Sequence, residues 1–270
     1  MTTLEVRGLV KDYRLRSGLR TTKLRAVDDV SFTLDHSRTV ALVGQSGSGK
    51  STIAKLLLQL EQPSSGDILL DGKPVARRGT GLVEYRRTVQ MVFQDPFASL
   101  NPFHTVEHHL TRPIRLHHPR MTDAEVHKRV LHLLERVRLT PAEHVAHRRP
   151  HELSGGQRQR VAIARALAPE PGVLIADEPV SMLDVSIRLG VLNLLATLQR
   201  EEDLGVLYIT HDLATARHFS DEILVMYRGR IVERGPADEV ILNPQHEYTK
   251  TLADAAPNPE RRLGELRSPQ

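Results

Sequence analysis

The chain has 270 residues and a mass of 30.3 kDa, which is enough for one large domain or two small ones. With 40% hydrophobic and 26% charged residues it can bury a core, which excludes a chain that is disordered by composition. The formal charge of +4 permits contact with phosphates or a membrane surface without requiring it, and the absence of cysteine excludes disulfides, thiolate metal sites and a cysteine nucleophile.

Strands dominate the predicted structure of the first third of the chain. Val30, Phe32 and Leu34 alternate with polar residues, which indicates a strand that is buried on one face. The apolar run at residues 39–43 is a second predicted strand, and it leads into a glycine-rich loop. The elements predicted after that loop are a helix over residues 53–60 and strands over residues 67–71 and 89–93. This order begins an α/β unit.

Helices are predicted for the middle of the chain, roughly residues 96–158. Ten of the fourteen histidines fall in this segment, and its apolar residues recur at helical spacing, so we interpret it as a helical insert. The residues with that spacing are Val126, Val130, Leu133, Leu134 and Val137. Two short apolar runs at residues 173–176 and 206–210 flank another helix, and strands that alternate with helices predict a parallel sheet.

A helix marked by Ile187, Val191, Leu194, Leu195 and Leu198 is predicted between those two strands. After about Gly235 the sequence is typical of an appended helical tail. We expect the polar, proline-bearing residues from 257 onward to be disordered. No internal repeat is apparent in the sequence.

The glycine-rich loop at residues 44–51 fits the pattern of a glycine, four residues, and then Gly-Lys-Ser or Gly-Lys-Thr. The glycines let the backbone curl so that its N–H groups point at phosphate oxygens, and the following helix N-terminus adds positive charge. Lys50 is predicted to reach the β- and γ-phosphates, and Ser51 to ligate Mg²⁺. The predicted nucleotide-binding residues of this segment are Gly44, Gln45, Ser46, Gly47, Ser48, Gly49, Lys50, Ser51 and Thr52.

A carboxylate pair follows the predicted strand at residues 173–176. α/β sheets bind ligands at the carboxyl ends of their strands, which is where Asp177 and Glu178 stand. We predict that Asp177 holds Mg²⁺ and that Glu178 orients and polarises the attacking water. A solvated strand end is the alternative for this pair taken alone.

Residues 153–157 read Leu-Ser-Gly-Gly-Gln and precede a helix predicted over residues 158–168. With the two motifs above, the sequence resembles the ATP-binding cassette (ABC) family, in which this pentapeptide is the signature. The predicted binding residues are Ser154, Gly155, Gly156 and Gln157. They form a second anion site at a helix N-terminus, and a simple N-capped helix start is the alternative. The resemblance covers residues 3–235.

The resemblance implies further site residues. Gln94 matches the loop glutamine that touches Mg²⁺ and the attacking water, and His211 matches the switch histidine that contacts the γ-phosphate. Asp184 matches the loop that crosses a dimer interface, although Met182 replaces the usual small residue there. Tyr13 matches the aromatic residue that stacks on adenine, while simple packing is the alternative for this tyrosine.

The family's architecture sets the expected fold. It is an α/β phosphate-loop NTPase with a mostly parallel sheet, an N-terminal antiparallel β subdomain and a helical signature subdomain. The expected cassette covers residues 1–240, with residues 96–158 inserted, and a tail of the peptide-importer type covers residues 241–270. Two cassettes would pair head to tail as a homodimer or heterodimer, with each ATP between one phosphate loop and the other chain's signature.

Two segments resemble the oligopeptide, dipeptide and nickel importer branch. They are residues 94–102, reading QDPFASLNP, and residues 246–252, in which Glu247 replaces the proline of a His-Pro-Tyr-Thr motif. The branch implies an importer with permease chains and an external solute-binding protein. No apolar run reaches the ~18 residues of a membrane span and the start lacks a signal-peptide core, so we expect a peripheral subunit at the cytoplasmic membrane face.

The functional hypothesis is MgATP hydrolysis by in-line attack of water, with Lys50 and His211 stabilising charge and Glu178 acting as base. A soluble ABC ATPase acting on nucleic acid is one alternative; scarce aromatic residues and the single cassette weigh against it. An ATP-binding regulator without turnover is another. The histidine-rich insert suggests nickel binding, but a solvated helical face is favoured because the spacing of metal ligands is missing. The transported solute stays open.

Overall fold

The computed structural model describes residues 2–17 and 20–255 of the chain. Its strands are β1 (Thr3–Ser17), β2 (Arg20–Asp35), β3 (Thr39–Val43), β4 (Ser65–Leu70), β5 (Lys73–Pro74), β6 (Val89–Val92), β7 (Val173–Asp177), β8 (Gly205–Thr210), β9 (Glu222–Tyr227) and β10 (Arg230–Pro236). Its helices are α1 (Lys50–Leu57), α2 (Gly79–Thr88), α3 (Pro96–Ser99), α4 (Val106–His117), α5 (Asp123–Arg136), α6 (Ala142–His147), α7 (Gly155–Leu167), α8 (Val185–Glu201), α9 (Leu213–Phe219), α10 (Ala237–Leu242) and α11 (Glu247–Ala255). A 3₁₀ turn covers Pro150–Glu152.

The strands form two sheets. The N-terminal sheet is antiparallel and has the order β2-β1-β4-β5. The second sheet has the order β10-β9-β3-β8-β7-β6, and it is parallel except for β10 at its edge. The predicted α/β class, the mostly parallel sheet and the antiparallel N-terminal sheet are therefore confirmed.

The parallel sheet is buried on both faces, as its continuous apolar strands predict. Every residue of β3 is buried. Val40 and Leu42 pack with α1 and the antiparallel sheet, whereas Ala41 and Val43 pack with the helices on the opposite face. This burial fixes the carboxyl end of β3, from which the phosphate loop leaves.

The helical middle is also confirmed. Between β6 and β7 every element is helical, and the predicted apolar stripe of α5 lies in the core. Thr122 and Glu125 form a capping box at the start of α5. Helix α7 begins at Gly155 rather than at the predicted residue 158, because Ser154 caps it and so places the signature glycines in its first turn.

Other boundaries differ from the predictions by a few residues. Helix α1 begins at Lys50 instead of residue 53, because Gly49 is its N-cap and the polar residues Lys50, Ser51 and Thr52 lie in its first turn. Helix α2 was not predicted, because two glycines and two arginines interrupt its apolar pattern. The tail contains the expected helices α10 and α11. The expected disorder from residue 257 lies outside the described residues. Among the residues described, no helix is both long and apolar enough to span a bilayer.

Candidate active site

The phosphate loop connects buried β3 to the start of α1. Gly49 has a φ of +113° and is the N-cap of α1. A side chain at Gly49 would collide with the backbone carbonyl of Ala26, and one at Gly44 with the carbonyl of Met226. Glycine is therefore required by backbone conformation and by close packing, and the loop lies against neighbouring strands as a preformed cradle.

Lys50 lies buried at the centre of this loop. Its ammonium group donates to the carbonyl oxygens of Gly44 at 2.5 Å and Gln45 at 2.9 Å. Burial lowers the pKa of the Lys50 side chain, while the carboxylates of Glu178 and Asp177 act against that shift. A buried cation held by neutral carbonyls suits a polyanionic ligand, which would supply the negative charge that these carbonyls lack.

Asp177 ends β7 in a buried position beside the loop. Burial first, and then the adjacent Glu178 carboxylate, raise the pKa of Asp177, and Lys50 together with a hydrogen bond to the Ser51 side chain lower it in part. The Ser51 and Asp177 oxygens are thus neighbours, as the predicted magnesium site requires. Mg²⁺ prefers such oxygen ligands and keeps several waters, so two protein oxygens plus phosphate oxygens suffice.

A buried hydroxyl oxygen in the loop also fits a phosphate ligand. The Ser48 hydroxyl is buried without a hydrogen-bond partner, an arrangement expected of a donor that awaits an anion. Within residues 2–17 and 20–255, no group of three or more His, Asp or Glu side chains forms a metal site.

Three predicted catalytic side chains meet beside the loop. Glu178 follows β7, and its φ of +44° turns the chain sharply while its N–H donates to the carbonyl of Ile209 at 2.9 Å. One Glu178 carboxylate oxygen accepts from the Gln94 amide at 2.9 Å, and the other lies 3.0 Å from Nδ1 of His211. Residues from the ends of β6, β7 and β8 thus converge on one carboxylate.

A cleft of about 710 Å³ contains both the loop and this triad. Tyr13, Leu24 and Ala26 form the end of the cleft that lies on the antiparallel sheet. The Tyr13 hydroxyl donates to Glu61 at 2.5 Å, and Lys11 lies 5.1 Å from the ring centroid. The cleft thus has an aromatic wall at one end and a phosphate cradle at the other. Its lining also includes Gln45, Ser46, Gly47, Gly49, Lys50, Ser51, Thr52, Gln94, Glu178 and His211.

The predicted signature residues lie apart from this cleft. The Ser154 hydroxyl accepts from the Gln157 N–H, and the Gln157 side chain accepts from the Ser154 N–H, so the two residues form a capping box. Added carbon atoms at Gly155 and Gly156 would lie 3.4 Å from Leu183 and 2.7 Å from Ile187. The signature turn therefore packs against the start of α8, where Asp184 is the N-cap.

Sequence reasoning missed some residues that shape the site. Leu24 pairs with Tyr13 across the antiparallel strands, and Ala26 lies against the loop at Gly49. Glu61 fixes the Tyr13 hydroxyl. Strand register places Leu24 and Ala26, and the bend after α1 places Glu61; no local pattern in the sequence carries these pairings. The Tyr248 hydroxyl, from the tail motif, also contacts the loop at Gln45.

The histidine-rich insert does not assemble a metal site among its described residues. His104 and His108 stack with ring centroids 4.0 Å apart, and His127 bonds to Glu107 at 2.7 Å. His109 is buried and bonds to the carbonyl of Asn101. The favoured interpretation of the insert as a solvated helical face stays a prediction.

Together, the doubly covered parallel sheet, the glycine cradle with its lysine and the acidic strand end define the phosphate-loop NTPase fold. Comparison with known proteins identifies the family within this class. The family model described as ABC transporter matches residues 27–181. The chain belongs to the ABC transporter family, as its motifs predict.

Individual relatives agree with this assignment. The chain is 50% identical over 258 residues to the glutathione import ATP-binding protein GsiA of Salmonella choleraesuis, and this match covers 94% of the chain. It spans only 41% of that relative's length. It also resembles the structure of cbiO1 from Clostridium perfringens, part of the ABC transporter complex cbiONQ, with a TM-score of 0.79, 30% identity and 97% of both chains covered.

A second solved structure is similar over the cassette. The ATP-binding cassette MJ0796, described as a dimer in a post-hydrolysis state with ADP and Pi bound, matches with a TM-score of 0.75 and 30% identity. The match covers 87% of this chain and 98% of that one. None of these three proteins is described as acting on nucleic acid, so that alternative finds no support.

Proposed function

We propose that the chain binds and hydrolyses MgATP as the energy-coupling subunit of an importer for peptides or related small solutes. The observation that carries the enzymatic part is the convergence of Gln94 and His211 on Glu178, in the same cleft as Lys50. The name of the GsiA relative supports the import part, since glutathione is a small peptide.

The residues have separate roles in this proposal. Tyr13 stacks on the base, and the loop N–H groups and Lys50 bind the phosphates. Ser51, Asp177 and Gln94 hold Mg²⁺, which supplies charge neutralisation at the phosphate oxygens. Glu178 accepts a proton from the attacking water, and Gln94 and His211 hold its carboxylate in position. His211 also offers its second ring nitrogen to the γ-phosphate.

Chemistry at this site depends on positioning and charge stabilisation. Each Glu178 oxygen accepts one hydrogen bond from Gln94 or His211, and a carboxylate oxygen has a second lone pair free for water. The carboxylate can therefore be held and act as base at once. A positioned general base contributes about 10²–10⁴-fold to the rate.

The signature residues Ser154, Gly155, Gly156 and Gln157, together with Asp184, are proposed to complete the site of a second cassette. Their separation from the cleft within one chain and the dimeric MJ0796 relative support this pairing. ATP would close the dimer and hydrolysis would reopen it, which is the two-state change that permease chains detect. The second cassette is a copy of this chain or a related chain.

The remaining assembly follows from the same proposal. Residues 1–240 form the cassette, with the 96–158 insert facing permease chains, and residues 241–270 form the tail. The subunit lies on the cytoplasmic face of the membrane, and an external solute-binding protein acts through the permeases. No nucleic acid partner is expected.

The experiment that tests this function begins by isolating the chain together with the membrane proteins that co-purify with it. The assembly is placed in vesicles with its external solute-binding protein and supplied with MgATP on the side of the cassettes, and uptake of glutathione, other short peptides, sugars and metal ions is measured. We expect a peptide to be taken up and to stimulate phosphate release. Phosphate release without any stimulated uptake would contradict the import role, and absence of phosphate release would contradict turnover itself.

A further inference from the structure

The C-terminal helix reaches the phosphate loop through one hydroxyl group. The backbone N–H of Gln45 donates to the Tyr248 hydroxyl oxygen at 2.9 Å, across 203 residues of sequence. The Tyr248 ring lies against the ring of Tyr227 at the end of β9, with centroids 4.2 Å apart. The contact is thus between a packed aromatic side chain and the backbone of the predicted nucleotide site.

The peptide group that Tyr248 contacts also contacts Lys50. The Gln45 N–H and the Gly44 carbonyl belong to one planar peptide group, and that carbonyl accepts from the Lys50 ammonium at 2.5 Å. In a trans peptide these two groups point in opposite directions. Tyr248 therefore holds one side of the plane and Lys50 the other, and hydrogen bonds in series strengthen each other. Rotation of this peptide would disturb both contacts.

The chain around Tyr248 anchors its backbone. The two Glu233 carboxylate oxygens accept from the N–H groups of Gln245 at 2.7 Å and His246 at 2.9 Å. His246 then caps α11, because its Nδ1 accepts from the Tyr248 N–H and its carbonyl from the Lys250 N–H, both at 3.1 Å. These contacts hold the first turn of α11 against β10.

The pKa of Glu233 agrees with this anchoring role. Burial raises the pKa of its carboxyl group, but hydrogen bonds, led by that from the Gln245 N–H, outweigh burial and hold the pKa below its usual value. The group therefore remains a charged acceptor at neutral pH.

Thr249, which follows Tyr248, is fully buried. Glu247 occupies the first helical position, where an acidic residue and proline are both favourable, so its departure from the motif preserves the helix start.

We propose that Tyr248 is a positioning residue of the phosphate loop, which fixes the Gly44–Gln45 peptide and thereby the Lys50 ammonium for nucleotide binding. This inference rests on the proposed role of the loop in binding phosphates. The tail motif then acts on the nucleotide site through the backbone of the loop, by way of the Tyr248 hydroxyl.

The test uses the full chain and the variant Tyr248→Phe, which keeps the ring and removes the hydroxyl. Tyr227→Phe is the matched control, since it removes a hydroxyl from the other ring of the same pair. Binding of MgADP is measured by calorimetric titration, and KM and kcat are measured for MgATP. For Tyr248→Phe we expect MgADP affinity to fall about three- to tenfold, the size of one hydrogen bond. KM for MgATP should rise similarly while kcat changes less than about twofold, because Glu178 is untouched.

A double-mutant cycle separates positioning through Lys50 from a general structural effect. In a Lys50→Met background, Tyr248→Phe should weaken MgADP binding no further, because the ammonium that it positions is gone. Equal losses in both backgrounds would overturn the inference, as would equal affinities of Tyr248→Phe and Tyr227→Phe. If Lys50→Met itself leaves MgADP affinity unchanged, the proposed phosphate site is wrong, so the two failures are distinguishable.

Discussion

The phosphate-loop cleft and the signature turn contain similar chemical groups but differ in completeness. Both have glycines and hydroxyl groups at the N-terminus of a helix. The cleft gathers a buried lysine, the Glu178 carboxylate, a glutamine and a histidine around one volume. The signature turn has its serine exposed and engaged in capping α7. In the proposed function, the cleft is a nearly finished site and the signature turn is a half-site that needs another surface.

This difference shows how the helical insert and the sheet divide their tasks. The sheet brings distant residues together because parallel strands end at a common edge, and six-stranded order places β6, β7 and β8 side by side. The insert shares one apolar core with a face of the parallel sheet and presents the signature at one helix start. If two chains bring these two regions together, the nucleotide can be bound between them and released again in a cycle.

The largest expected effect concerns the finished site. Glu178→Gln removes the base but keeps a side chain of similar size, so phosphate release should fall about 10²–10⁴-fold while MgATP remains bound. Turnover and nucleotide binding are measured on the same sample. Glu84→Gln, at an exposed position on α2, is the control and should match the parent. Parent-level turnover in Glu178→Gln would assign the base to another residue.

The second effect tests whether the signature turn does more than cap its helix. Ser154→Ala and Thr122→Ala remove the hydroxyl from two similar capping boxes, so each should lower the free energy of unfolding by about 1 kcal/mol. Only Ser154→Ala should also reduce ATPase activity, by about tenfold or more, since a hydrogen bond to a charged phosphate is lost. Denaturant unfolding and phosphate release are compared.

Equal ATPase activities for these two variants would mean that the serine acts as a helix cap alone. The comparison between the two regions would then fail, because the signature would no longer be a half-site. A larger loss of stability in Ser154→Ala than in Thr122→Ala would instead indicate that α7 depends more strongly on its cap.

A smaller effect tests whether the finished site is held at the expense of stability. Burial and the Glu178 carboxylate raise the pKa of Asp177, so the native state binds this proton more tightly than the unfolded state does. The free energy of unfolding therefore falls as the pH rises from the unfolded-state pKa of Asp177 to its native-state pKa. Asp177→Asn should therefore have a higher melting temperature than the parent at pH 7 without nucleotide. The difference should shrink as pH falls and the parent carboxylate is protonated. Added MgATP should stabilise the parent more than the variant.

The smallest effect belongs to the helical insert. The hydrogen bond to Glu107 raises the pKa of His127 in the native state. The pair therefore stabilises the fold at pH values below the pKa of His127 in the unfolded chain, and this contribution is lost as the pH rises through its native-state pKa. Because the His127 imidazole is partly exposed, His127→Gln should lower the free energy of unfolding by under about 0.5 kcal/mol at pH 5.5 and by less at pH 8. Unfolding curves at both pH values measure this. A cost that grows with pH would contradict the assigned pair.

Much of the site could be predicted because its motifs are local. The phosphate loop must place glycines, lysine and serine within a few residues, and a strand that ends in Asp-Glu displays both carboxylates together. Tyr13 was a weaker prediction, since nothing local distinguishes a stacking tyrosine from a packed one. Its partners Leu24 and Glu61 come from other strands and turns. Helix α2 escaped prediction because its apolar residues are too few to show a period.

The amino-acid sequence by itself determined the family, the loop chemistry and the alternation of the central strands and helices, because these depend on neighbouring residues and on apolar periodicity. The tertiary structure alone decided that Gln94 and His211 meet on Glu178 and that Tyr248 touches Gln45. Those contacts join residues far apart in the chain. Strand order and helix packing bring them together, and no local stretch of sequence encodes such distances.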